Sequence, residues 1–140
     1  MTWTLDHWID GAAHMPAGGR YLDRTSPVDG SLVCRVADGS LEDVDAAVAA
    51  ASRALPAWRR TPAAVRGRIL IEVARRIREA AGSLVEEEIA ETGKPRATAA
   101  ADVEVAAQYF EFYGEVINAV NGETIDLGGR TKSVLLAITP

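Results

Sequence analysis

The sequence predicts an α+β fold in which short β-hairpins precede about four helices. Residues 1–39 carry Asp-Gly and Pro-Val-Asp-Gly turn signals between short β-like segments. Residues 40–121 change to spacings of three and four between apolar side chains, which is typical of amphipathic helices. Residues 122–140 hold two further β-like segments separated by a Gly-Gly pair. At 140 residues, this order fits one compact unit.

Two small hairpins are expected in the β region. The Asp10-Gly11 pair suits a tight hairpin turn. Tyr21–Thr25 and Ser31–Val36 flank a second turn, in which proline presets the backbone and glycine closes the turn. Alternation along the second of these strands places three side chains on one face: Leu32, Cys34 and Val36.

The first helix opens with a capping box formed by Ser40 and Asp43. Pro56 is expected to end or kink this helix, because proline lacks an N–H and clashes with the preceding turn. Six apolar residues follow the capping box at spacings of three and four and form one stripe: Leu41, Val44, Val48, Ala51, Leu55 and Trp58.

Capping signals also predict the bounds of the second and third helices. Thr61-Pro62 is expected to supply an N-cap and a first-turn proline, and Gly82 to follow the last turn of the second helix. Ser83–Glu86 is a second capping box, which opens a short helix that stops at Gly93.

The last helix is expected over about residues 98–120. Its predicted buried side consists of Val103, Ala106, Phe110, Ile117 and Val120. Alanine accounts for 25 of the residues, so we expect thin, closely packed helices that lean on a larger partner.

Composition excludes some classes of partner. Fifteen Lys and Arg against 20 Asp and Glu give a net charge of −5, whereas nucleic acid or an anionic membrane requires a basic face. Aromatic residues make up 6% of the chain and are scattered, which argues against a base-stacking platform. A single cysteine and the lack of a secretory signal predict a cytoplasmic protein.

Residue types and spacings alone predict no active site. His7 and His14 have no Cys or carboxylate at metal-ligand spacing, so a zinc site is not expected. Cys34 alternates with apolar residues in a strand, which favours a buried structural thiol over a nucleophile. The arginines of the second helix are interpreted as its solvent face, with an anion-binding patch as the alternative.

The order of several motifs nevertheless resembles the N-terminal portion of the NAD(P)-dependent aldehyde dehydrogenase superfamily. The matching segments run through nearly the whole chain: Trp8-Ile9-Asp10-Gly11, Ser26-Pro27-Val28-Asp29-Gly30, residues 43–58, Glu91-Thr92-Gly93-Lys94-Pro95, residues 109–114, Gly122-Glu123-Thr124-Ile125, and Ala137-Ile138-Thr139-Pro140. Each motif is weak by itself, but their conserved order makes chance a poor explanation.

The resemblance implies oxidation of an aldehyde to a carboxylic acid, with hydride transfer to NAD or NADP. It also implies that this chain is inactive alone, because family members carry the catalytic Cys, the general-base Glu and the oxyanion-stabilising Asn beyond the matched region. An aldehyde substrate would therefore bind only in a full-length context. Cys34 does not correspond to the family nucleophile.

The resemblance also implies two sets of site residues. Ile138, Thr139 and Pro140 match positions whose backbone lines the nicotinamide side of the cofactor cleft. Asp102 matches a carboxylate that in some members holds a monovalent cation, together with backbone carbonyls that correspond here to Arg24 and Thr25. The alternative for Asp102 is a carboxylate near the first turn of a helix that only favours the helix dipole.

The stretch between Ile125 and Ala137 is shorter than the β arm that joins subunits in the family. The helices lack the cofactor-domain sheet that they cover in family members, so we expect an exposed apolar face and self-association or attachment to a dehydrogenase subunit. An alternative function is that of a truncated, non-catalytic paralogue that serves as an interaction module.

Overall fold

The computed structural model describes residues 3–119, 123–125 and 134–136. The strands of the first region are β1 (Trp3–Leu5), β2 (His7–Ile9), β3 (Ala12–His14), β4 (Tyr21–Thr25) and β5 (Leu32–Ala37). The helices are α1 (Leu41–Arg60), α2 (Ala63–Glu79), α3 (Ala81–Thr92) and α4 (Arg96–Val116), and a short 3₁₀ turn follows at Ile117–Ala119. Strands β6 (Glu123–Ile125) and β7 (Val134–Leu136) form an antiparallel pair. The predicted α+β class is confirmed.

The first hairpin forms where Asp-Gly predicts it. Strands β2 and β3 are antiparallel, and Ile9 pairs with Ala12 across the turn. Asp10 and Gly11 have φ angles of 53° and 78°. Positive φ at both central residues is the signature of a type I′ turn, whose twist matches that of the strands it joins.

The second predicted hairpin is part of a three-stranded sheet. Strands β4 and β5 are antiparallel, and the turn between them is closed by the Gly30 N–H, which donates to the Ser26 carbonyl at 2.9 Å. Strand β1 lies parallel to β5 on its other side, in the order β1-β5-β4. The sequence did not predict β1, since three residues are too few to show a period. Cys34 on the central strand is 0% exposed.

Helix α1 begins as predicted and ends later than one of the two predicted outcomes. The Ser40 hydroxyl accepts from the Asp43 N–H, and the Asp43 carboxylate accepts from the Ser40 N–H. The prediction that Pro56 ends the helix is wrong, because α1 continues to Arg60 with Pro56 inside it. A proline removes only its own backbone hydrogen bond, and the remaining turns keep theirs.

The predicted bounds around α2 and α3 are partly wrong. Thr61 caps the end of α1, where its hydroxyl donates to the Ala57 carbonyl at 3.2 Å, and Pro62 takes the N-cap position of α2. Gly82 lies inside α3, because α2 and α3 are separated only by Ala80. The Ser83 hydroxyl donates back to the Ala80 carbonyl at 2.9 Å rather than capping a helix.

The end of α3 is confirmed, whereas the predicted buried side of α4 is not. Gly93 follows α3 in the left-handed conformation, with φ of 69°. Helix α4 begins at Arg96, two residues before the predicted start. Its fully buried residues are Ala99, Ala107 and Gly114. Of the predicted set, Val103 and Ile117 are half-buried, Ala106 and Phe110 are exposed, and Val120 lies outside the described residues.

Small side chains face the interior because α2 and α4 cross at two glycines. A Cβ atom added to Gly114 would lie 2.8 Å from the Gly67 carbonyl oxygen and 2.8 Å from Ile71 Cγ1. The two backbones therefore touch, and larger residues have no room at the crossing. The remaining core side chains are also small, which confirms the expectation of thin, closely packed helices: Cys34, Ala50, Ala74, Val85, Ala99 and Ala107.

Arg78 adds a polar link across the same helix pair. Its guanidinium nitrogen Nη2 lies 3.1 Å from Glu104 Oε1 and 2.8 Å from Glu111 Oε2, both on α4. Hydrogen bonds from Arg78 lower the pKa of both glutamates. The link is partly exposed, so we assign it mainly to the angular register of the two helices rather than to their stability.

Asp43 joins the N-terminal strands to the helices. Besides Ser40, its carboxylate accepts from the Ala17 N–H at 2.9 Å and lies 3.9 Å from His7 Nε2 on β2. Hydrogen bonds from Ser40 and then from Ala17 lower the pKa of Asp43 to about 2. One ionised side chain thus caps α1 and holds two segments of the β region beside it.

Large apolar side chains remain on the surface of α1 and α4, which confirms the predicted exposed apolar face. The most exposed on these helices are Leu41, Val44, Val48, Tyr109, Phe112 and Tyr113. Within the described residues, no helix has the length and apolar character that a bilayer crossing requires.

Gly67→Ala is expected to lower the free energy of unfolding by about 2 kcal/mol, because the new Cβ forces the α2 and α4 backbones apart. Urea denaturation measures this change. The matched control is Gly82→Ala inside α3, where an added Cβ meets nothing within 4 Å. Helix propensity predicts a gain of up to about 1 kcal/mol there. Equal gains at both glycines would contradict the close helix crossing.

Asp43→Asn is expected to flatten the acid sensitivity of the fold. The pKa of Asp43 is about 2, against an ordinary value of 3.8. Its ionised form therefore adds stability above pH 4, and this contribution disappears as the pH falls from about 4 to about 2. Thermal unfolding across this range measures the slope for the wild type and for Asp43→Asn. Glu42→Gln, in the same helical turn, is the control and should keep the wild-type slope; the proposal fails if Asp43→Asn keeps it too.

Candidate functional site

Three of the matched segments meet in space at the end of α3. We define the α3 junction as the Pro27-Val28 turn, the Gly93-Lys94 turn and Asp102 on α4. A Cβ atom on Gly93 would lie 3.1 Å from Val28 Cγ2 and 3.2 Å from Pro27 Cγ. Gly93 also has φ of 69°, which L-residues with side chains rarely adopt. Both conformation and space therefore favour glycine at this position.

Lys94 occupies the centre of the α3 junction. Its ammonium Nζ lies 2.8 Å from Asp102 Oδ2 and 2.5 Å from Glu88 Oε1. The hydrogen bond to Asp102, followed by that to Glu88, raises the pKa of Lys94 above its ordinary value. The lysine therefore stays charged at neutral pH and joins α3 to α4, a role that the sequence indicated only through the Gly-Lys-Pro motif.

The structure gives separate ionic partners to the residues predicted to hold a cation. Arg24 Nη2 lies 3.7 Å from Glu91 Oε2 on α3. Thr25 lies next to the irregularity at which the β4–β5 register shifts. Asp102 pairs with Lys94. Arg24 and Asp102 both reach the α3 junction, but the Lys94 ammonium already supplies a positive charge to Asp102, which disfavours a second cation there.

The cation site therefore stays a prediction. Within residues 3–119 and the two short strands that follow, no cluster of three or more His, Cys, Asp or Glu side chains is placed to hold a metal ion. A site built on backbone carbonyls would depend on Arg24 and Thr25. The proposed cofactor contacts Ile138, Thr139 and Pro140 lie outside the described residues and also stay a prediction.

Cys34 has the environment of a structural thiol. It is 0% exposed, and burial, followed by the negative charge of Glu91, raises its pKa. A nucleophilic cysteine needs the opposite, a lowered pKa and access for substrate. The prediction of a buried thiol is confirmed.

The aromatic residues are grouped, contrary to the sequence-based interpretation that they are scattered. Tyr109 and Tyr113 stack on α4 with ring centroids 6.4 Å apart, and Phe112 packs edge-on against Tyr113 at 5.3 Å. Together with Val105 and Gln108 these rings line a shallow groove on the surface of α4. The signal was present in the sequence, since four of the eight aromatic residues lie between positions 109 and 113.

Comparison with known proteins identifies the family. A sequence model described as "Aldehyde dehydrogenase family" matches residues 14–140. The chain belongs to the aldehyde dehydrogenase family. This match includes the α3 junction, all four helices and most of the three-stranded sheet.

Individual aldehyde dehydrogenases support the assignment in sequence and structure. An aldehyde dehydrogenase of Vibrio cholerae is 38% identical over 127 residues, which are 90% of this chain and 25% of that protein. An NAD-dependent aldehyde dehydrogenase from Sinorhizobium meliloti is similar at a TM-score of 0.89 and 30% identity, over 96% of this chain and 28% of that one.

Two structures of PnpE give the same result. One is from Pseudomonas sp. WBC-3 and one is a complex with nicotinamide adenine dinucleotide; each has a TM-score of 0.84 and 38% identity, over 89% of this chain and 26% of that one. The chain thus spans about a quarter of the length of the relatives it matches. Its architecture corresponds to the N-terminal part of the aldehyde dehydrogenase fold.

Cys34 is expected to resist thiol reagents in the folded protein. Since the side chain is fully buried and its pKa is raised, it should react with Ellman's reagent only when the sheet opens. We expect a rate roughly 100-fold below that of the urea-unfolded chain, which corresponds to an opening free energy of about 3 kcal/mol. The same sample in urea is the control, and equal rates in the two states would refute the structural assignment of this thiol.

Proposed function

We propose that this chain forms the N-terminal part of an NAD(P)-dependent aldehyde dehydrogenase and is inactive alone. The observation that carries the proposal is the family match over residues 14–140. The arrangement of the described residues adds support, because the matched motifs build a structural junction instead of a reactive centre. Lys94, Glu88 and Asp102 neutralise one another, and Cys34 is buried.

The reaction proposed for the whole enzyme converts an aldehyde, water and NAD(P)⁺ into a carboxylic acid, NAD(P)H and a proton. The nicotinamide ring supplies the hydride acceptor when the cofactor is bound. The chemistry also needs a thiolate nucleophile, a general base and an oxyanion donor, and loss of any one lowers the rate by orders of magnitude. The resemblance assigns none of these three groups to the described residues, so the chain's own contribution is positional.

Two finer proposals rest on the resemblance. The backbone of Ile138, Thr139 and Pro140 is proposed to lie on the nicotinamide side of the cofactor cleft in the complete enzyme. Asp102 with Arg24 and Thr25 is proposed to hold a monovalent cation, which would require the Lys94 ammonium to leave Asp102. A reducing, cytoplasmic location is proposed from the single cysteine, Cys34.

A second candidate function is a non-catalytic interaction module derived from the same family. The observation that favours it is the extent of apolar surface on α1 and α4, where Leu41, Val48 and Phe112 are each more than half exposed. Surfaces of this kind mark protein–protein contacts more often than small-molecule sites. The partner in this case would be a dehydrogenase subunit or another copy of the chain.

Immunopurification from the native source distinguishes the two functions. Antibodies against residues 86–96 should recover a species much heavier than 14.9 kDa that reduces NAD⁺ or NADP⁺ at 340 nm when an aldehyde is added. The recombinant 140-residue chain, which should give no rate above the blank, is the control. A species of 14.9 kDa without activity would overturn the enzyme proposal and support the interaction module.

A further inference from the structure

Helix α1 presents a continuous apolar surface that nothing in the described fold covers. We call this surface the α1 seam and define it by Leu41, Val44, Val48, Ala51, Leu55 and Trp58. Exposure is 85% at Leu41, 59% at Val48 and 43% at Trp58. The hairpin β2–β3 packs against a different side of α1, next to Ala47, Ala50 and Ala54. The seam is therefore a second apolar face, beside the one that the fold already uses.

The spacing of the α1 seam fits a partner helix. Successive members are separated by three, four, three, four and three residues, an average near 3.5. This period keeps side chains facing one neighbouring helix along the whole length of the contact, as in a two-stranded coiled coil. A single amphipathic face that packs on a sheet has no need for this strict alternation.

We infer that a second copy of the chain docks on the α1 seam, with the two α1 helices antiparallel. Antiparallel alignment about a two-fold axis between residues 48 and 51 places Leu41 opposite Trp58 of the other copy. It also places Val44 opposite Leu55 and Val48 opposite Ala51. Every member of the seam then has an apolar counterpart, as an isologous interface requires.

Side-chain size along the seam favours this alignment. The smallest pair, Val48 and Ala51, lies at the axis, where the helices approach each other most closely. The largest pair, Leu41 and Trp58, lies at the two ends, where crossing helices diverge. The inference concerns self-association only and does not depend on the proposed enzymatic function.

Charges at the ends of α1 select the antiparallel orientation. Glu42 and Asp45 lie near its beginning, and Arg59 and Arg60 form its last turn. All four are exposed, and none forms an ion pair with another of the described residues. An antiparallel partner brings opposite charges together at both ends, whereas a parallel partner brings like charges together.

Sedimentation equilibrium of the 140-residue chain tests the interface. We expect the wild type to dimerise at micromolar concentration, and Val48→Glu to raise the dissociation constant by roughly 100-fold, because it places two unpaired carboxylates at the axis. Val48 is exposed in the monomer, so the variant should keep the wild-type circular dichroism. The control is Phe112→Ser on the aromatic face of α4, which should leave dimerisation unchanged.

Disulfide trapping tests the orientation independently. The variants Leu41→Cys and Trp58→Cys are purified separately and oxidised alone or after mixing. Positions 41 and 58 are roughly 26 Å apart along one helix, so an antiparallel pair forms a disulfide only in the mixture. Native Cys34 should stay silent because it is fully buried.

Three results would overturn the inference. The first is a wild-type chain that stays monomeric at about 200 µM, a concentration that detects any dissociation constant in the micromolar range. The second is a dimer that Phe112→Ser abolishes and Val48→Glu does not, which would assign the contact to α4. The third is a disulfide formed by Leu41→Cys alone, which would show a parallel pair.

Discussion

The contact between the backbones of α2 and α4 constrains the rest of this fold. Gly67 and Gly114 face each other, and a Cβ atom on Gly114 would come within 2.8 Å of the Gly67 carbonyl oxygen. Helices that approach this closely can bury only small side chains between them. Alanines consequently fill the interior, and the larger apolar residues of α1 and α4 are left on the outside. The exposed apolar surface thus follows from the way the core is built.

Polar side chains connect the parts that this small core does not hold together. Asp43 ties the N-terminal segments to the start of α1, and Lys94 ties the end of α3 to α4. Each uses one charged group to satisfy several partners from different segments. Such contacts specify geometry more than they add stability, because they remain accessible to solvent. The family motif that contains Gly93 and Lys94 therefore has a structural explanation in this region.

Local signals in the sequence predicted the features that depend on local chemistry. The Asp10-Gly11 turn, the capping box at Ser40 and the left-handed Gly93 each need only a few neighbouring residues. The buried side of α4 could not be predicted in the same way, since it depends on the position of Gly67, which lies 47 residues before Gly114 in the chain. The partners of Lys94 and the parallel pairing of β1 also come from distant segments. Apolar periodicity finds a helix, but it does not show which of two apolar faces the fold will bury.

The same argument links stability to association. Full burial of one large aliphatic or aromatic side chain contributes about 1.5–3 kcal/mol, and this fold leaves many such side chains outside. Any partner that covers them, whether a second copy or the remainder of a dehydrogenase, binds the folded chain and not the unfolded one. Its binding free energy then adds to the free energy of unfolding. The stability of the chain and the occupancy of its apolar faces are therefore a single equilibrium, and the small-residue core makes that coupling strong.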